Sequence, residues 1–258
     1  MTEKRIDFSR KDGVARITLA NPGRRNAVDL AWCKAFAEAA MACAADDSLK
    51  CILLAAEGDF FSVGGDIDDF IANRDHLRSH VLEMASLFHL GITRLHHGAA
   101  PLVAAVNGMA AGGGFSLALT ADIVLAKRSA RFASAYTKSG LSPDGGLSYN
   151  LPRMAGMRRA FEIIALNPIL DAETALDWGL ITRVYDDAAF ADAVEQVVQT
   201  LAAMPSGTMA AVKRLLAKSP DASLQQQLDA EADQVSRLAA SPATLDVLQA
   251  FLSRRSKG

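Results

Sequence analysis

Apolar and polar positions alternate from Ile6 to Leu19. Ile6 and Phe8 are separated by charge, and Ala15, Ile17 and Leu19 resume the same period after Asp12-Gly13. A period of two on either side of Asp-Gly predicts a β-hairpin. Asn21-Pro22-Gly23 ends its second strand. The period then lengthens: Leu30, Cys33, Phe36, Ala37, Ala40 and Met41 share one face of a helix that Asp29 is placed to cap. Residues 51–56 form an unbroken apolar run of strand length, which predicts a strand buried on both faces. The glycine- and charge-rich stretch 57–69 is expected to be a loop. Val81, Met84, Ala85, Phe88 and Ile92 give 78–95 helical spacing, and His96 and His97 fall in the connection that follows. Residues 102–106 and 123–126 are two more buried strands. Strands alternating with helices argue for an α/β fold with crossover connections.

After about residue 187 the pattern becomes wholly helical. Phe190, Val194, Val198 and Leu201 mark one helix, and Met209, Val212, Leu215 and Leu216 a second. Leu224, Leu228, Val235 and Leu238 mark a third, and Leu245, Leu248, Phe251 and Leu252 a fourth. Such helices cannot bury their apolar faces alone, so they are expected to pack on the main unit or on another subunit.

Composition narrows the function classes. Half of the 258 residues are hydrophobic and 22% are charged, a globular balance. With 27 basic and 29 acidic residues the net charge is -2, so no basic excess favours nucleic acid. Cys33, Cys43 and Cys51 follow no metal spacing, and the first residues carry charge instead of an apolar signal segment. Together these predict a reduced, cytoplasmic setting. The apolar run 101–126 is broken by Asn107, three glycines and Asp122, which argues against a membrane span.

Four segments hold candidate chemistry, each with a plain alternative. Asn21-Pro-Gly-Arg-Arg-Asn-Ala-Val28 sets two arginines beside a turn, either as a phosphate clamp or as a solvated surface. Phe60-Phe-Ser-Val-Gly-Gly-Asp-Ile67 places two glycines where a backbone N–H can approach a ligand, or where a chain merely turns. Asn107-Gly-Met-Ala-Ala-Gly-Gly-Gly-Phe-Ser116 opens a helix with a glycine triplet, which suits a developing oxyanion or simply close packing. Its spacing is neither the dinucleotide fingerprint nor the phosphate loop, and Ala118 spoils the serine-hydrolase elbow around Ser116. Gly140-Leu-Ser-Pro-Asp144-Gly-Gly-Leu147 is a turn by composition, yet it holds a carboxylate able to act as base, acid or nucleophile.

In this order, the four segments resemble the crotonase superfamily, the enoyl-CoA hydratase/isomerase family, over nearly the whole chain. Leu151-Pro-Arg-Met-Ala-Gly156 and Ala172-Glu-Thr-Ala-Leu-Asp-Trp-Gly-Leu-Ile-Thr-Arg-Val184 agree with it. The resemblance implies a spiral of ββα units over 1–200. It also implies a helical oligomerisation region over 201–258 that builds homotrimers, commonly paired into hexamers. The substrate would be an acyl-CoA thioester of fatty or aromatic acid metabolism. No cofactor is implied beyond the coenzyme A that the substrate carries, and no metal, nucleic acid or membrane partner.

By position in the motifs, Gly65 and Gly113 would supply the backbone donors to the thioester oxygen. Arg24 would meet phosphate, and Val63 and Ile67 would flank the path of the CoA. Asp68 and Asp69 stand where relatives often carry lysine; Arg254, Arg255 or Lys257 of a neighbouring subunit could take over that contact. Ser116 and Tyr136 occupy the places of the two hydratase glutamates, and neither has a carboxylate's basicity near neutral pH. A standard hydration, the lyase chemistry of the family, is therefore disfavoured.

Asp144 stands where isomerases and dehalogenases of the family keep their working carboxylate. Lys138 to Gly145 resembles ring-opening 1,2-epoxyphenylacetyl-CoA isomerases, whereas Phe88-His89 and Met157-Arg-Arg-Ala160 resemble 4-chlorobenzoyl-CoA dehalogenases. The expectation is an isomerase in which Asp144 moves a proton, Phe88 and Tyr136 shape an apolar pocket with His89 beside it, and His96 and His97 play no part. A dehalogenase with Asp144 as nucleophile, a non-catalytic acyl-CoA binder and an RNA-binding relative are the alternatives.

Overall fold

A computed structural model of the chain describes residues 4–255. The hairpin is present: β1 (Ile6–Lys11) and β2 (Val14–Leu19) pair antiparallel, with Ile6 opposite Leu19 and Lys11 opposite Val14. The first helix, α1 (Leu30–Ala44), begins where Asp29 accepts the Trp32 N–H at 2.7 Å. The same carboxylate pairs with Arg5 at 2.8 Å, so the cap also fastens the helix to the chain just before β1. Met41 does not share the buried face. It lies about 140° around the helix from Phe36 and is 43% exposed, whereas Trp32 and Cys43, absent from the expected face, are buried.

Next come β3 (Cys51–Ala56), β4 (Phe60–Ser62), α2 (Ile67–Ala72) and α3 (Leu77–His97). They are followed by β5 (Leu102–Val106), β6 (Met109–Ala111) and α4 (Gly113–Ala118), then β7 (Ile123–Lys127), β8 (Arg131–Ala133) and α5 (Leu147–Leu166). Each of these three groups runs strand, strand, helix, the first with the short α2 ahead of its long helix α3. The first strand of each joins a six-stranded sheet ordered β1-β2-β3-β5-β7-β10, and the second joins a four-stranded sheet ordered β4-β6-β8-β9. That is the spiral of ββα units which the resemblance implies. The chain continues through β9 (Leu170–Asp171), α6 (Ala172–Asp177), β10 (Arg183–Tyr185) and α7 (Phe190–Ala202).

The central strands β3, β5 and β7 of the large sheet are buried on both faces over most of their length, which is why their sequences run apolar with little interruption. Along β3, Ile52 and Leu54 face the main core with Trp32, Phe36, Phe61 and Leu102. Cys51 and Leu53 face the other way, against Phe190, Val194, Val198 and Leu201 of α7. The helix predicted from those four residues therefore seals the outer face of the sheet.

Two expectations about connections do not hold. The stretch 57–69 is not all loop: Phe60–Ser62 pairs in parallel with β6, and α2 starts at Ile67. Local composition could not show this, because the partner strand lies more than forty residues later. His96 and His97 do not lie in the connection after α3 but form its last turn.

The remaining helices are α8 (Thr208–Lys218), α9 (Leu224–Ala239) and α10 (Pro242–Arg255). The nearly buried Lys213 of α8 donates to the Leu95 and Ala100 carbonyls and pairs with Asp122 at 2.7 Å, which ties α8 to the end of α3. No residue of α9 is buried, and Leu224, Leu228 and Val235, with Leu245, Leu248, Phe251 and Leu252 of α10, are exposed. Among the described residues, no helix is long and apolar enough to cross a membrane.

Candidate active site

A cavity of about 330 Å³ opens between α1, α3, the start of α4 and the turn before α5, and among its lining residues are Val63, Gly65, Ile67, Phe88, Gly113, Tyr136 and Asp144. Seven of the nine residues singled out from the sequence thus meet in one place. Arg24 lies at an adjoining mouth that shares Val63, Gly65 and Ile67. His89 does not line the cavity, but its ring reaches the Asp144 turn.

Gly65 owes its orientation to a single parallel bridge with Val28. The Val28 N–H donates to the Gly64 carbonyl at 2.8 Å, and the Asp66 N–H donates to the Val28 carbonyl at 2.9 Å. In a parallel bridge these flanking groups take up the pairing, so the N–H of Gly65 itself points away from Val28, and Gly65 lines the cavity. Gly64 has φ +84°, and a Cβ there would come within 2.8 Å of the Ala111 carbonyl oxygen. Only glycine lets this loop lie against the end of β6. Ser62 braces the loop by accepting the Gly64 N–H at 3.2 Å and donating to the Asn26 carbonyl at 2.8 Å. Gly113 is the first residue of α4, so its N–H has no carbonyl within the helix to meet. Two main-chain N–H groups on different loops therefore border one space.

The carboxylate comes from a third loop. Gly145 has φ +57°, and a Cβ there would lie 2.6 Å from the Phe88 ring and 2.8 Å from the Ser116 Cβ. Glycine is what allows the turn carrying Asp144 to press between α3 and α4. The Tyr136 hydroxyl donates to Asp144 Oδ1 at 2.6 Å and lies 2.8 Å from the Ser116 Oγ. Burial, and then the negative charge of Asp144, raise the pKa of the Tyr136 phenol above its ordinary 10. Tyr136 is thus a neutral hydrogen-bond donor throughout the physiological range. Of the residues lining the cavity, Asp144 is the only carboxylic acid.

The Gly145 N–H donates to His89 Nε2 at 3.1 Å. A ring nitrogen that accepts carries no hydrogen, so in this bond Nε2 is the nitrogen without one. Its Nε2 stands 3.8 Å from Asp144 Oδ2, a near approach without a bonding hydrogen between the two.

Arg24 is already engaged, with its guanidinium 2.6 Å from Asp66 and 3.3 Å from Asp68. Asp66 is buried and also caps α2 by accepting the Asp68 and Asp69 N–H groups. A phosphate arriving at Arg24 would share it with two carboxylates. Arg254 is exposed; Lys257 lies outside the described residues.

Part of the wall comes from residues that no motif marks. Val81, Met84 and Ala85, with Phe88, form one stripe of α3 that borders the cavity, Met84 and Phe88 packing into the core as well, and Phe70 and Leu141 close it elsewhere. Helical spacing reveals such a stripe but not whether its partner is protein or empty space. Cys33 also reaches the cavity. Burial pushes its thiol up to about 12, with Asp29 and Asp144 adding to the rise, so it stays protonated. Among the described residues, no group of three or more His, Cys, Asp or Glu side chains comes together as a metal-ligand set.

Residues 9–257 match the family model described as enoyl-CoA hydratase/isomerase. The chain is 36% identical over 246 residues to the 1,2-epoxyphenylacetyl-CoA isomerase of Escherichia coli (strain K12), a match covering 95% of this chain and 94% of that protein. It is 30% identical over 257 residues to the 4-chlorobenzoyl coenzyme A dehalogenase-2 of Arthrobacter sp, covering 99% and 93%. Among solved structures, an enoyl-CoA hydratase from Polaromonas sp. JS666 superposes with a TM-score of 0.89 at 30% identity, covering 96% of this chain and 97% of that one.

Proposed function

The chain belongs to the enoyl-CoA hydratase/isomerase family, and from that premise we propose that it is an isomerase of acyl-CoA thioesters, in which Asp144 carries a proton on the acyl chain while the Gly65 and Gly113 N–H groups hold the thioester oxygen. The observation that carries this reading is the isolation of Asp144. It is the one carboxylic acid lining the cavity that both glycines border, and its Oδ1 is held by Tyr136 while Oδ2 has no hydrogen-bond donor among the described residues.

The chemistry follows from those parts. Loss of a proton next to a thioester carbonyl leaves an electron pair that spreads onto the carbonyl oxygen. Two N–H donors stabilise the charge there, each worth about 3–4 kcal/mol in the barrier. Asp144 takes the proton and returns it to a different atom of the acyl chain, or to the oxygen of a strained ring. The net result is isomerisation, and no group beyond the substrate's own coenzyme A takes part. Hydration instead calls for carboxylates to hold a water, and Ser116 and Tyr136 offer only hydroxyls that are bonded to each other. The wall formed by Phe70, Met84, Phe88 and Leu141 suits a neutral aromatic or unsaturated acyl group, since no cation lines the cavity to pair with a charged end.

The second reading is a dehalogenase-type hydrolase, and the closeness of His89 to Asp144 favours it. Against it, hydrolysis of an ester formed on Asp144 needs a base with a free lone pair, and the Nε2 lone pair of His89 is occupied by the Gly145 N–H. The two readings part in a panel of 2-enoyl, 3-enoyl, epoxy-aryl and 4-halobenzoyl thioesters followed by mass spectrometry. Isomerisation predicts products of unchanged mass and an unlabelled protein. A covalent adduct on Asp144 would replace the isomerase with the second reading, and binding without any conversion would leave only an acyl-CoA carrier.

The exposed apolar faces of α9 and α10 support self-association of residues 201–258 as an oligomerisation region. The expected mass by light scattering is three or six chains; a stable monomer at micromolar concentration overturns it.

A further inference from the structure

Behind the cavity wall runs a chain of three hydroxyl-bearing or carbonyl groups that ends on a peptide of special position. Ser116 is wholly buried in α4. Its Oγ lies 2.8 Å from the Tyr136 hydroxyl and, in the other direction, 3.3 Å from the Gly112 carbonyl oxygen. That carbonyl belongs to the same peptide unit as the Gly113 N–H, which borders the cavity. We infer that Ser116 is a positioning residue with two hydrogen-bond settings, coupling the protonation of Asp144 to the donor strength of the Gly113 N–H. The inference rests on the proposed roles of Asp144 and Gly113.

Ser116 and Tyr136 have one hydroxyl hydrogen each. While Asp144 is ionised it can only accept, so Tyr136 commits its hydrogen to Oδ1, the charge-assisted and therefore stronger bond. The Tyr136 oxygen is then free to accept, and Ser116 donates to it. In this first setting the Gly112 carbonyl has only the Ser116 N–H, at 3.1 Å.

The base step moves one proton from the acyl chain to Oδ2 of Asp144 and leaves its electron pair on the thioester oxygen. The carboxyl group is now neutral, and Oδ1 becomes an ordinary acceptor. The Tyr136 bond to it loses its charge assistance, so Tyr136 can turn its hydrogen to Ser116. Ser116 then donates to the Gly112 carbonyl at 3.3 Å. Hydrogen bonds in a chain polarise one another. A donor on the carbonyl of a peptide makes its N–H a better donor, here the one aimed at the new oxyanion. The second setting thus arrives together with the charge it stabilises. It needs only the rotation of two O–H groups, with no further reactant.

The probe is acetoacetyl-CoA, whose enolate absorbs in the near ultraviolet while its ketone does not. At a pH where the free probe is ketone, the wild-type protein is expected to bind part of it as enolate. Ser116→Ala is expected to lower the bound enolate fraction about five- to tenfold, the range of one hydrogen bond, and to lower kcat similarly with KM and ketone affinity unchanged. Ser116→Cys keeps the volume with a weaker donor and is expected to fall between the two. An unchanged enolate fraction in Ser116→Ala overturns the inference. Should that variant fail to fold, wild-type behaviour in Ser116→Cys does the same. If the wild-type protein neither binds the probe nor converts any thioester, the proposed function itself fails. If the wild type works and Asp144→Asn does not, while Ser116→Ala is normal, only the coupling falls.

Discussion

Asp144→Asn lowers kcat on the converted thioester by about 10²–10⁴-fold, the usual contribution of a positioned acid-base group, and leaves KM within a few-fold of wild type. The substitution removes the basic oxygen and little else. An asparagine carbonyl still accepts the Tyr136 hydroxyl that now bonds Oδ1 at 2.6 Å, so the turn between α3 and α4 keeps its place. The cavity supplies no second carboxylic acid to stand in. His89 cannot replace it while the Gly145 N–H occupies Nε2. Steady-state kinetics give the first half of the result and calorimetric binding of a non-reactive acyl-CoA the second. Turnover equal to wild type would remove Asp144 from the mechanism.

Gly113→Pro is expected to cost about 10²–10³-fold in kcat, the loss that follows deletion of one oxyanion donor. Proline has no N–H, and the first position of a helix is where that loss disturbs the backbone least. Gly112 precedes it with φ +52° and ψ -125°, outside the α region that a following proline excludes. The control is Gly113→Ala, which keeps the N–H. A Cβ there would meet nothing closer than the Phe88 ring at 3.7 Å, an ordinary contact. The alanine variant is therefore expected to stay near wild-type activity, and melting curves of both show whether α4 is intact. Equal activity in the two would mean that the Gly113 N–H does not touch the reacting thioester.

The first hairpin, the cap at Asp29 and the buried strands were legible because each depends on neighbours in sequence. Alternation about Asp12-Gly13 fixes the hairpin, and a carboxylate before an apolar stripe fixes the helix start. The four segments that carry chemistry were legible as a set, since loops rich in glycine at strand ends leave a compositional mark. The strand at Phe60–Ser62 was not, because its partner is β6 and no local signal announces a distant edge. Met41 was misplaced because a single period places a face only to within a residue or two. Helical spacing did not assign Val81, Met84 and Ala85 to the cavity for a related reason: a side chain facing a pocket and one facing packed protein obey the same spacing.

By itself the sequence determined which groups are available: one carboxylate in a proline-glycine turn, glycines at the mouths of two loops, and hydroxyls where a hydration would need acids. It also determined the first hairpin, the central buried strands and the long helices, because periodicity and caps are written in adjacent residues. Only the tertiary structure decided which atoms meet. Tyr136 and Ser116 are twenty residues apart in the chain and 2.8 Å apart in space, and Arg24 reaches across forty-two residues to Asp66. Hydrogen-bond direction, the occupied lone pair on His89 and the emptiness beside Met84 are products of three-dimensional packing. They fall off within an ångström or two, a scale on which position along the chain carries no information.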